Sequence, residues 1–303
     1  MTSPVFVGYW AGYQSGGNTL NETPPSVTNV NLFVAAPAPD GKSVDTNYLC
    51  KVYPCPQQMA WAAGLQNQGQ QVSMTFMDTP STHWNNVDIP AFAASVNTTV
   101  LGNGPGQWGL NGVDVDAESG MPDDVYVKTM VSLVTNLREA IGPDALLTYT
   151  AYTLGMKANG GSDFNHDGEI IPQIAESINW VNMMGYFWDT GEQETAFAAY
   201  AGIVGPQKVT IGIGVCYQDG VSTPLDECST LAAWQPASGS KAGMMLFVLN
   251  NDNPDCTGQP QWTWVNTIAN SLASGAAPNA VAGAAGARPN PARRLHRTLP
   301  WSK

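Results

Sequence analysis

Leu110-Asn111-Gly112-Val113-Asp114-Val115-Asp116-Ala117-Glu118 sets three carboxylates at strict two-residue spacing, separated by Val113, Val115 and Ala117. Side chains alternate across a β-strand, so a strand here turns Asp114, Asp116 and Glu118 to one face and the apolar residues to the other. Same-face neighbours stand roughly 7 Å apart. Three acids in such a line repel one another, and partial burial adds to the cost of charge. At least one is therefore expected to keep its proton near neutral pH, and a carboxyl group kept protonated can serve as a general acid. An acidic strand end can also bind calcium or face solvent, but apolar residues between all the acids are not the pattern of a solvated edge.

Working outward, β-rich runs occur at 5–10, 30–35, 72–77, 113–117, 146–152, 180–186, 209–215 and 244–249. Helix-like segments fall between most of them, at 57–68, 89–101, 123–141, 170–177, 195–204 and 225–234, with a last one near 262–272. The first crossover, 16–28, is rich in Gly, Asn and Pro and has little helical pattern. Strands alternating with helices in this way predict an α/β protein, a (β/α)8 TIM barrel, whose site lies at the C-terminal ends of the strands. Glu118 falls at such an end. A doubly wound open sheet is the rival, but no G-x-G-x-x-G follows the first strand and no P-loop is present. The reading assigns residues 1–274 to a single barrel domain. It takes 275–303, an Ala-, Gly-, Pro- and Arg-rich stretch without periodicity, as a disordered tail.

The chain of 303 residues carries a formal net charge of −12. All its Asp and Glu precede residue 275, whereas Arg288, Arg293, Arg294, Arg297 and Lys303 crowd the end. An acidic domain repels nucleic acid and anionic membranes, which leaves a neutral or cationic substrate. Ten Trp and ten Tyr suit a sugar binder, because flat rings stack on pyranose faces, although the same rings also fill cores. No segment has the apolar length of a membrane span, and the start MTSPVFVGYW has no signal-peptide pattern. The cysteines and scarce lysines favour a secreted, extracellular protein whose leader is absent from this sequence. A monomer is expected.

Five cysteines show no zinc spacing. Cys50 can pair with Cys55, and Cys216 with Cys228 or Cys256, leaving one thiol over. His83, His166 and His296 form no His-x-x-x-His pair, so neither a zinc hydrolase nor a serine triad is favoured. Asp163-Phe164-Asn165-His166-Asp167-Gly168-Glu169 has the alternating oxygen ligands of half a calcium loop, with Asp163, Asn165 and Asp167 as ligands. The twelfth position, where a full loop needs Glu, is Ile174. No cofactor and no other metal site is expected.

Asn111-Gly112-Val113-Asp114-Val115-Asp116-Ala117-Glu118 resembles the D-G-x-D-x-D-x-E signature of glycoside hydrolase family 18, the chitinases and related endo-β-N-acetylglucosaminidases. Val5-Phe6-Val7-Gly8-Tyr9-Trp10 is similar to the family's first strand. Trp180-Val181-Asn182-Met183-Met184-Gly185-Tyr186 is similar to its sixth, and Gly243-Met244-Met245-Leu246-Phe247 to its eighth. The resemblance implies retaining hydrolysis of β-1,4 bonds next to N-acetylglucosamine, in which the substrate's own acetamide replaces the second carboxylate. It makes Glu118 the acid and base, Asp116 the group that orients the acetamide, Asp114 its proton-sharing partner and Tyr186 a donor to the acetamide oxygen. Substrate contacts are assigned to Met184, Phe247, Trp10, Trp188 and Asn111, and Trp84 and Trp108 are further stacking candidates.

Departures from the pattern are several. Asn111 replaces the first Asp and is isosteric with it. Ala117 replaces an aromatic residue, Phe187 an Asp, and Phe247 a Trp, while the third strand's S-x-G-G is here Thr75-Phe76-Met77-Asp78. The connection from Cys216 to Lys241 is too short for the inserted α+β subdomain of many members, so an open groove is expected. The expected function is that of an endo-type chitinase acting on chitin. The alternatives are an endo-β-N-acetylglucosaminidase on other N-acetylglucosamine glycans and a non-hydrolytic lectin of the same family.

Overall fold

In the computed structural model, which describes residues 3–217 and 220–274, eight parallel strands close on themselves. They are Val5–Ala11, Asn29–Pro37, Gln71–Phe76, Gly112–Asp116, Leu146–Ala151, Trp180–Met183, Val209–Gly214 and Gly243–Phe247. The first pairs with both the second and the eighth, which shuts the barrel and removes its edges. A two-residue arm, Val44–Asp45, adds antiparallel to the second strand. The proposed tail at 275–303 lies outside the described residues.

Strand parity divides the core in two. Along the first strand Val7, Tyr9 and Ala11 belong to a cluster inside the barrel, whereas Phe6 and Trp10 belong to the layer between strands and helices. The outer layer is the larger one. Its longest contributor is Asp123–Ile141, whose buried stripe Tyr126, Met130, Leu133, Val134, Leu137 and Ile141 follows helical spacing. Asp123 and Asp124 sit in its first turn, where they complement the helix dipole, and Gly142 ends it at a φ of 78°.

The first crossover holds only the short 3-10 turn Leu20–Glu22, as its composition predicts. Two differences from expectation shape the surroundings of the strand ends. The sixth strand stops at Met183, and the chain turns through Gly185–Phe187 as a 3-10 segment, because Gly185 lies against the Gly212 backbone and the Gln193 side chain. The fifth crossover is two helices, Thr153–Ala158 and Asp167–Ile174, broken at Gly160-Gly161. Disulfides join Cys50 to Cys55 and Cys216 to Cys256, and Cys228 is a buried thiol.

Two buried acids tie the crossovers down. Asp167 Oδ2 accepts from the Thr153 N–H at 2.9 Å and the Thr153 hydroxyl at 2.6 Å. Asp252 caps the final helix, Thr263–Ser274, by accepting from Trp264 N at 3.2 Å and Val265 N at 2.8 Å. Burial pushes Asp167 up to about 7 and Asp252 up to about 6. A carboxyl group raised on folding stabilises the fold below its unfolded pKa and loses that contribution as pH rises through the folded value. Buried Lys241, pushed down to about 7, opposes this trend only above that pH. Tm is therefore expected to rise by about 5 °C or more as pH falls from about 7 to about 4.5. Differential scanning calorimetry checks this, and the slope should flatten in the Asp167→Asn, Asp252→Asn double variant.

Candidate active site

Gly112 opens the acidic strand because the fifth strand passes so close that a Cβ would lie 2.3 Å from the Leu146 carbonyl oxygen. From there the alternation is strict. Val113, Val115 and Ala117 enter the outer layer, and Asp114 and Asp116 are buried on the opposite, inner face. Glu118, two residues past Asp116, lies at the rim and is half-buried.

Asp114 is fully buried at the centre of a hydrogen-bonded web drawn from four other strands. The Tyr9 hydroxyl donates to its Oδ2 at 2.9 Å and that of Thr75 at 3.1 Å. Thr148 and Thr150 donate to Oδ1 at 2.5 and 2.9 Å, and the Asn182 amide reaches the same oxygen at 3.3 Å. Thr210 on the seventh strand donates to Asn182 Oδ1 at 3.0 Å. Burial raises the Asp114 pKa, while the surrounding hydroxyls lower it.

Asp116 is placed differently. It is buried, and its Oδ1 has no hydrogen-bond partner. Its pKa is held well above the usual carboxylate range, first by burial, then by the charges of Glu118, Asp114 and Asp78. Donors gather on Asp114 and repulsion on Asp116, so a negative charge on the pair is better met at Asp114 and a shared proton is drawn toward Asp116. Glu118 stands between this pair and solvent.

Aromatic and thioether groups wall the mouth. Tyr9, Met77, Tyr152, Met184, Tyr186 and Met245 are buried there. Phe247 lies nearly parallel to Tyr186 at 6.1 Å, with 15° between the rings. The Tyr217 hydroxyl donates to the Tyr186 carbonyl at 2.8 Å and fixes the turn that carries Tyr186. Burial, then the charges of Glu118 and Asp116, hold the Tyr186 pKa well above its ordinary value, so its hydroxyl remains a donor. Trp188 is half-buried beside Phe187, and it fits because Gly155 has no Cβ, which would lie 2.8 Å from the indole.

The structure thus brings Asp114, Asp116, Glu118, Met184, Tyr186, Trp188 and Phe247 to one end of the barrel. Trp10 does not join them. It has the opposite parity from Tyr9, is fully buried in the outer layer, packs edge-on to Trp61 and donates to the Asn18 carbonyl at 3.1 Å. Asn111 lies at the other end of its strand, where Oδ1 accepts from Gln66 Nε2 at 2.9 Å and Val72 N at 2.8 Å. Trp84 and Trp108 are core residues. The residues not singled out from sequence are Tyr9, Thr148, Thr150, Asn182 and Asp78. The i, i+2 pair Thr148 and Thr150 on a strand beside the acidic one is the signal that could have found two of them.

In the stretch that resembles half a calcium loop, Asp163 Oδ1 accepts from the Thr153 hydroxyl at 2.7 Å and Asp167 N at 2.8 Å. Its Oδ2 accepts from Gly168 N at 2.9 Å, so the acid caps the helix that follows. Asn165 turns the other way and donates to the Ala117 carbonyl. A cavity of about 360 Å³ opens there, lined by Ser119, Met121, Asp123, Tyr126, Phe164 and Asn165 among others.

Comparison with known proteins places this geometry. The family model of the endo-β-N-acetylglucosaminidase EndoS TIM-barrel domain matches residues 11–246. A curated relative, endo-β-N-acetylglucosaminidase F2 of Elizabethkingia meningoseptica, is 24% identical over 165 residues, 49% of this chain and 45% of that protein. The chain therefore spans about half the length of the curated relative it matches. Among solved structures, a family GH18 chitinase from Chromobacterium violaceum superposes with a TM-score of 0.69 at 17% identity, covering 90% of this chain and 84% of that one. An endo-β-N-acetylglucosaminidase from Cordyceps militaris superposes with a TM-score of 0.64 at 15% identity, covering 90% and 92%. The family match runs from the end of the first strand into the eighth, with the D-x-D-x-E line on the fourth, and so the chain belongs to the EndoS TIM-barrel family and with it to glycoside hydrolase family 18.

Proposed function

We propose that this chain is an endo-acting glycosidase that cleaves a β-1,4 bond next to N-acetylglucosamine, with retention and with the substrate's acetamide as nucleophile. The observation that carries the reading is the buried, unpartnered Oδ1 of Asp116, one step inward from Glu118. An unmet buried acceptor costs about 1–3 kcal/mol, and an acetamide N–H placed there would remove that cost. Glu118 protonates the leaving oxygen, and the acetamide carbonyl oxygen attacks the anomeric carbon as the glycosidic bond breaks. The resulting oxazolinium cation forms beside Asp116 and Asp114, whose shared negative charge stabilises it. The Tyr186 hydroxyl donates to the acetamide oxygen and steers its attack. Water then opens the ring with Glu118 as base, and β-configured product leaves.

The family match and the Elizabethkingia relative favour an N-acetylglucosamine pair within a glycoprotein glycan as the substrate. Chitin is the second reading, supported by partly exposed rings at Phe187, Trp188, Tyr217 and Phe247 that can stack along a sugar chain. Two disulfides suit an oxidising compartment, and no helix among the described residues is long and apolar enough to cross a membrane. We place its action outside the cell, as a monomer.

Incubation with an Asn-linked glycopeptide and with chitin oligosaccharides, followed by product analysis, is expected to show cleavage between two N-acetylglucosamines. Cleavage of the glycopeptide in preference to chitin supports the first substrate. Binding of both without cleavage would sink the hydrolase reading and leave a lectin. Glu118→Gln is expected to lower turnover by about 10²-fold or more, with oligosaccharide affinity nearly kept. Asp116→Asn should cut kcat and remove the pH–rate limb that reports the Asp114–Asp116 pair, whereas a profile identical to wild type would contradict proton sharing.

A further inference from the structure

We propose that Asp78 and Asn165 are positioning residues for Glu118, clamping the backbone just before it and the side chain just after it. This rests on Glu118 being the acid of the reading above. The registered strand ends short of Glu118: its last registered pair is Asp116 with Thr150, followed by the bond from Ala117 N to Thr150 O at 2.9 Å. Beyond that point side chains take over. The Ala117 carbonyl receives Asn165 Nδ2 at 2.7 Å and the Tyr126 hydroxyl at 3.3 Å. On the far side, the Ser119 hydroxyl donates to Asp78 Oδ2 and receives Met121 N at 3.3 Å. His83 Nδ1 at 3.0 Å and Trp84 N at 3.2 Å meet the same Asp78 oxygen. Asn165, Ser119 and Asp78 are 2, 2 and 4% exposed.

Two features make this more than general packing. A cavity of about 360 Å³ borders Ser119 and Asn165, so the segment is not packed on every side. The two clamps also reach Glu118's neighbours from separate parts of the chain, Asp78 from the end of the third strand and Asn165 from the fifth crossover. A buried carboxylate is costly unless hydrogen-bonded, and that of Asp78 is bonded where it fixes the residue after the acid. Misplacing a catalytic group by about 1 Å can cost about 10²-fold in rate, which is the scale of effect such clamps control.

The test uses the full chain with Asn165→Ala, Asp78→Ala and Asp78→Asn, measuring kcat and KM on the glycan the wild type cleaves, Tm, and hydrogen exchange across residues 117–121. Both alanine variants are expected to lose about tenfold or more in kcat with KM within about twofold, and to exchange faster at 117–121 alone. Asp78→Asn keeps an acceptor for Ser119 and should recover most of that loss. It also removes a negative charge that acts on Asp116 together with those of Glu118 and Asp114, with Tyr126 nearby and His83 facing Asp78, so the pH–rate limb reporting Asp116 should move to lower pH. Unchanged kcat, a loss confined to KM, or a loss that simply follows Tm would overturn the proposal while leaving the role of Glu118 intact. If the wild type cleaves no glycan, the earlier reading fails. Exchange then still decides the clamps: unchanged rates at 117–121 in both alanine variants overturn them.

Discussion

One buried carboxylate organises the inside of this barrel. Asp114 sits where ionisation would be prohibitive in an apolar interior, and donors from the first, third, fifth and sixth strands lie within hydrogen-bond reach of it. Because those donors come from separate strands, satisfying Asp114 also sets the register of the barrel around it. The polar belt that results underlies the reactive mouth. It also keeps negative charge one residue pair below the rim, where Asp116 feels it.

The carboxylate line then works by contrast of environments. Asp114 has an excess of donors, Asp116 has an oxygen with none, and Glu118 reaches toward solvent. Burial and repulsion would raise any of the three, but the hydroxyls around Asp114 confine most of that effect to Asp116. A site with one anchored charge and one displaced proton can accept a cation forming beside it without reorganising its surroundings. The aromatic and methionine wall around Tyr186 and Phe247 excludes water from the inner pair and offers flat faces to a sugar.

Most of the architecture could be read from periodicity. Eight β-rich runs, the irregular first crossover and the single barrel without a large insertion follow from alternation, turn residues and spacing, and the strand ends shifted by a few residues, most at Gly185. The acidic line was legible because an i, i+2 spacing has one meaning in a strand. The Cys216 pairing, by contrast, was left open between Cys228 and Cys256. Chain separation does not decide it, since Cys228 turns into the core on the Leu225–Ala233 helix.

What the sequence determined by itself was which residues share a face: Asp114 with Asp116 and Glu118, Tyr9 with Val7 and Ala11, Trp10 with Phe6. Which of two faces looks inward was decided only by closure of the barrel, and that choice sent Tyr9 to Asp114 and Trp10 to the helices. The same holds for partners. Tyr9 and Asp114 lie 105 residues apart, and Asp78 meets Ser119 across 41. Alternation is a local property of the backbone and is written in the spacing of residues. Contact across a barrel depends on the stagger of eight strands together, which no single stretch of the chain encodes.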